Sequence, residues 1–185
     1  LVAIVALNNY SALNKGKYAS TVRRWIKKAK SEWLDKETGL LVSFLKEDGT
    51  QFKAAPVKGS YSALNCHYLT QIDSVFAREQ YDKFKSHFLQ SGLFSGIQEY
   101  HDHSCWWGFD IDAGPILFNL SPSGTAFAVG PATYFNDTHV RSNFLRTAEI
   151  AGHSIRWNNT QHYLLAEIAL VGECIMLAMR TTTTP

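Results

Sequence analysis

The chemistry of this sequence is concentrated in one stretch, Glu99-Tyr-His-Asp-His-Ser-Cys-Trp-Trp-Gly-Phe-Asp-Ile-Asp112. Four carboxylates, two histidines and two tryptophans fall there within 14 residues. Glycoside hydrolysis needs two carboxyl groups flanking one bond, one protonated and one ionised, roughly 5–9.5 Å apart. Glu99, Asp110 and Asp112 are the candidate acid and base. Asp110 and Asp112 stand two residues apart, so an extended backbone turns both to one side. There each would raise the other's affinity for a proton. The competing role for both is capping of backbone amides where the chain turns at Gly114-Pro115. Trp106 and Trp107 offer flat apolar faces to a sugar ring or another apolar ligand, and Tyr100 extends that platform.

His101-x-His103-x-Cys105 places three ligand-type side chains on one side of an extended segment. The separated ligand pairs usual for zinc are missing, so they read as polar loop residues; no metal and no cofactor is expected. Outside this stretch, Lys58 and Tyr61 stand at the start of a helix, placed to orient an anionic or hydroxylated ligand. His67 lies further along that helix, as a ligand-facing residue or as a packed core histidine. Trp157 falls in a later loop, positioned to wall the same cavity. Cys66 and Cys174 read as small core hydrophobes. Three distant cysteines without a CxxC pair do not make a disulfide framework.

Side chains like these need a scaffold, and the 185 residues suffice for one domain with a substantial core. Hydrophobic residues at 45% and aromatics at 13% argue against disorder. The net charge of +2 is scattered, and the basic run Arg23 to Lys28 is too short for a nucleic-acid footprint. No run of about 18 uncharged apolar residues occurs, so no membrane span is expected. The expected ligand is a small molecule or an oligosaccharide.

Apolar residues at helical spacing predict helices over 1–13, 18–34, 61–72, 75–89, from Pro122 to about Tyr134, from 138 to 151, and from Gln161 to Arg180. Pro122 suits a first helical turn, and Pro131 is expected to kink or end its helix. Glu47-Asp-Gly49 marks a small β-hairpin over 41–54. Residues 90–121 have little periodicity and read as a long loop. The expected architecture is all-α: antiparallel helical hairpins forming part of an α/α toroid, in one domain over 1–180 with a tail at 181–185. Three hairpins and one extra helix fall short of a closed ring. The chain also opens inside an apolar helical pattern, Leu1 to Leu7. Both features predict a missing remainder of the same protein, or a homo-oligomer, packed on Leu1–Leu7 and on the face from Leu164 to Met179.

Lys58-Gly-Ser-Tyr-Ser-Ala-Leu-Asn-Cys-His-Tyr-Leu69 resembles a recurring bacterial α/α-toroid pattern. Asp110-Ile-Asp-Ala-Gly-Pro-Ile116, followed by Ser121-Pro-Ser-Gly-Thr-Ala-Phe-Ala-Val-Gly130, is similar to that pattern's aspartate–glycine–proline segment and small-residue helix. The family is a poorly characterised bacterial group, similar in fold to six-hairpin glycosidases and to linalool dehydratase-isomerase. The resemblance implies a toroid, usually in a longer chain, located in a bacterial periplasm or cytoplasm. It implies carboxylate acid/base chemistry from the loop that holds Glu99, Asp102, Asp110 and Asp112. The cysteine pair of the dehydratase-isomerase has no counterpart here, because Cys66, Cys105 and Cys174 stand in other contexts. Three functions stay open at this point: a carbohydrate-active domain with glycoside-hydrolase-like chemistry, a non-catalytic binding or assembly module, and a terpene dehydratase/isomerase-like enzyme.

Overall fold

In the computed structural model, residues 1–111, 113–164 and 170–184 are described. The helices are α1 (Val2–Leu13), α2 (Ala19–Glu32), α3 (Gly59–Leu69), α4 (Ser74–Phe88), α5 (Pro122–Tyr134), α6 (Thr138–Gly152) and α7 (Leu170–Arg180). The strands are β1 (Leu89–Gln90), β2 (Gly96–Gln98), β3 (Trp107–Asp110), β4 (Gly114–Leu117), β5 (Leu120–Ser121), β6 (Ser154–Trp157) and β7 (Thr160–Tyr163).

The all-α expectation is overturned. β1 to β5 form a five-stranded antiparallel sheet in the order β1-β2-β5-β4-β3, and β6 pairs with β7 in a second sheet. The protein is therefore mixed α and β, not an all-α toroid. The physical reason lies in 90–121: its strands are two to four residues long. Alternation over so few positions cannot be told from loop by pattern. The last predicted helix also begins too early, because 160–163 pairs with 154–157 as a hairpin. Part of the remaining prediction, 165–169, lies outside the described residues. The hairpin expected over 41–54 is reduced to two isolated bridges, Leu34 with Leu41 and Leu45 with Gln51.

Helix α5 is central, packing on α3, α6, α7 and β2. Its Ala126, Ala128, Val129, Gly130 and Ala132 are buried, and such small side chains let neighbouring helices approach closely. A helix apolar on every side belongs inside. Pro131 is accommodated within α5, which runs on to Tyr134. Phe84, Phe88, Ile97, Val129 and Phe144 form the main core between α4, β2, α5 and α6. A smaller core of Ala29, Trp33, Leu41, Leu69 and Phe76 joins α2 to α3 and α4. Asp73 and Asp137 cap α4 and α6 by accepting the N–H groups of Phe76 and Val140. On α7, Met176 and Met179 are buried whereas Val171 and Leu177 are exposed. No helix among the described residues is long and apolar enough to cross a membrane.

Candidate functional site

The sheet meets the helices at the N-terminal ends of α3 and α5, and Glu99 occupies that junction. Gly59 starts α3 against β2 because only glycine fits there: a Cβ would lie 1.8 Å from the Gln98 carbonyl oxygen. The Gly59 N–H donates to the Glu99 backbone carbonyl at 2.9 Å. The Glu99 carboxyl accepts from the Ser60 N–H at 3.2 Å and the Ser60 hydroxyl at 2.8 Å. Ser121, the N-cap of α5, also gives its hydroxyl to Glu99. Glu99 is completely buried. Burial is the largest influence on it and pushes its carboxyl pKa up; the serine bonds oppose this and the charge of Asp110 adds to it. Two helix N-termini favour a carboxylate, yet desolvation outweighs them.

Asp110 stands at the end of β3, and Lys58 reaches it from the residue before α3. The Lys58 ammonium lies 3.0 and 2.8 Å from the two Asp110 oxygens. Both side chains are about a tenth exposed, at 9% and 11%. The Tyr100 hydroxyl donates to Asp110 at 2.9 Å, and the Ala113 N–H donates at 3.0 Å. Burial, then the hydrogen bond to Asp110, pushes the Tyr100 pKa up to about 12, so it stays a donor at neutral pH. The Lys58 ammonium also sits 5.6 Å from the ring of Phe44 and 5.9 Å from that of Tyr61, rings themselves 5.2 Å apart. One backbone bond of the capping role is thus present at Asp110, beside an ion pair and a phenol. Asp112 lies outside the described residues.

Above this buried polar cluster, β3 and β4 form a hairpin whose alternation sorts its side chains. Gly108 and Asp110 turn inward, while Trp107 and Phe109 are 70% and 78% exposed. Ile111 at the tip, Trp106 before the strand and Phe118 after β4 are exposed as well. Phe118 packs edge-on against Trp106 at 5.4 Å and Trp107 at 6.5 Å. It does so from a two-residue turn, Phe118–Asn119, in which both φ angles are positive (54° and 65°). Asparagine tolerates that conformation; a bulky aromatic there is strained.

Glu99, Tyr100, Asp110, Lys58 and Tyr61 are therefore brought together, with Trp106 and Trp107 on the outer side of the same hairpin. His67 is not part of the group. It lies near the other end of α3, where a Cβ on Gly130 would sit 2.7 Å from its Nδ1, and burial lowers its pKa. Trp157 is exposed at the β6–β7 turn, in the other sheet. His103 Nδ1 is 2.8 Å from Gln98 Nε2, and the ring of His101 packs near Phe88. No group of three metal-ligating side chains forms among the described residues. Sequence reasoning missed Ser60 and Ser121 as Glu99 partners, and Phe109, Ile111 and Phe118 as the rest of the apolar face. The alternation of Trp107, Phe109 and Ile111 with Gly108 and Asp110 was the available signal. No family model and no curated protein matches the chain.

Proposed function

We propose that this is a binding domain that receives a carbohydrate ring on the β3–β4 hairpin, with the buried carboxylates holding the hairpin in place. The observation that carries this is the clustering of Trp106, Trp107, Phe109, Ile111 and Phe118, each 46–90% exposed, on one two-stranded element. Five large apolar side chains left in water on one hairpin forgo burial, with Phe118 packed on both Trp106 and Trp107, and exposed apolar surface of this kind supports a recognition role. Flat aromatic faces stack on the C–H faces of a sugar. The adjoining Tyr100-His-Asp-His-Ser104 loop supplies polar groups at its edge. The strained Phe118 supports the same reading, since unfavourable backbone persists where a side chain must be placed.

Calorimetric titration with a panel of neutral oligosaccharides tests this. Saturable binding to at least one, weakened about tenfold by Trp107→Ala, is expected from the loss of one stacking contact. The absence of saturable binding across the panel, or binding that Trp107→Ala leaves unchanged, overturns it.

A second reading, acid/base glycoside cleavage, rests on one observation. Glu99, whose carboxyl is pushed toward the protonated form, stands close enough to ion-paired Asp110 to feel its charge. It ranks second because Glu99 is fully buried and Asp110 nearly so, leaving neither open to a substrate. Release of reducing ends by the wild type, lost in Glu99→Gln, would bring it forward. Of the two thiols the terpene reading could use, Cys66 is buried in the core, where burial pushes its ionisation far up, and Cys105 is half-buried beside Gly108.

A further inference from the structure

A separate cleft of about 610 Å³ opens between the end of α2 and the 46–54 turn. Its size is that of small-molecule sites. Trp33 floors it, nearly buried and edge-on to Trp25 with ring centres 5.5 Å apart. The Trp33 indole N–H donates to the Gly49 carbonyl at 2.9 Å, tying the turn to the floor. Phe52, 45% exposed, forms an apolar wall.

Lys36, Lys46 and Lys53 line this cleft. Among the described residues none of them has a carboxylate within 4.0 Å, whereas Lys28, Lys30, Lys58 and Lys85 each do. The carboxylate in the lining, Glu32, is answered by Lys28 at 3.7 Å. Asp48 lies beside Lys46, but its carboxylate is turned into the hairpin, accepting the Thr50 N–H at 2.8 Å and the Thr50 hydroxyl at 2.6 Å. Glu47 stays exposed to solvent. Three lysines with no carboxylate within 4.0 Å among the described residues thus contribute to the lining of a largely apolar cleft with an exposed phenyl wall.

We propose that this cleft binds a small phosphorylated ring compound, its ring against Phe52 and its phosphate held by Lys36, Lys46 and Lys53. Lysines act on phosphate as point charges, without the fixed fork that arginine brings, so the ring contact supplies the orientation. Adenosine monophosphate is the probe, with adenosine and inorganic phosphate as the two halves of it. Calorimetry on the intact chain should give saturable binding of the nucleotide, with both halves binding more weakly. Lys46→Met/Lys53→Met should weaken the nucleotide by about tenfold or more, as the loss of a charge-assisted contact dictates. Phe52→Ala should weaken the nucleotide and leave phosphate alone. These lysines are exposed, and circular dichroism checks that the variants stay folded. No saturation by the nucleotide, inorganic phosphate binding as tightly as the nucleotide, or indifference to the lysine substitutions overturns the proposal.

Discussion

Replacing Lys58 by methionine removes the cation under the aromatic hairpin while keeping most of the apolar stem. The ammonium makes two short contacts to Asp110, and both side chains are about nine-tenths buried. Breaking a buried pair by removing one partner costs about 3–5 kcal/mol, because a charge is left without compensation. Asp110 keeps the Tyr100 hydroxyl and the Ala113 N–H, which places the cost near the low end, about 3 kcal/mol. For a chain of this size that lowers Tm by roughly 6–12 °C. Urea unfolding followed by circular dichroism measures it. Lys58→Met/Asp110→Asn should recover most of the loss, since the asparagine oxygen still accepts from the Ala113 N–H, its amide N–H can donate to the Tyr100 hydroxyl oxygen, and the buried charge is gone. A single-variant cost under about 1 kcal/mol, the range of exposed pairs, refutes the reasoning. So do single and double variants whose costs simply add.

Glu99 gives a pH dependence of opposite sign to the ordinary acid response. Its folded carboxyl binds a proton more readily than in the unfolded chain. Its contribution is therefore fully present below the usual glutamate range and lost as pH rises through the raised value. Glu99→Gln should match the wild type in acid and equal or exceed it in stability at pH 7; a variant that is less stable at pH 7 contradicts this. Gly59→Ala drives a Cβ into the Gln98 carbonyl and should cost about 3 kcal/mol, since backbone on both sides cannot yield; an unchanged thermal midpoint would show that the α3–β2 contact is looser. Phe118→Gly relieves about 1–2 kcal/mol of left-handed strain but forfeits two edge-on contacts of about 0.5–1.5 kcal/mol each, leaving stability near neutral. The same variant should weaken sugar binding, and unchanged binding by titration would separate Phe118 from the recognition surface.

The helices were legible in the sequence because each carries its own signal: Pro122 after Ser121, Asp73 before α4, and apolar residues three and four apart. The sheet was not. Ile97, Leu120 and Ser121 pair across more than twenty residues, and no local period announces such a contact. Of the candidate site, Glu99, Tyr100, Asp110 and Lys58 were recognised by residue type. Their arrangement was not, since it depends on Gly59 allowing α3 to start against β2 and on a strand that turns Asp110 inward. The sequence pointed to acid and base groups, and the fold buries Glu99 and most of Asp110 while leaving the aromatic face outside. His67 stands apart from this group because it lies eight residues beyond the start of α3, roughly 12 Å along the helix at 1.5 Å per residue.

The proposed sugar site can be read one tryptophan at a time. The chain labelled with 5-fluorotryptophan gives five fluorine resonances, for Trp25, Trp33, Trp106, Trp107 and Trp157. Titration with the oligosaccharide that binds best should shift Trp106 and Trp107 along a saturating curve and leave Trp25, Trp33 and Trp157 in place. Shifts confined to Trp157 or to the buried pair, or no shift at Trp107 at saturation, would contradict a sugar site on the β3–β4 hairpin.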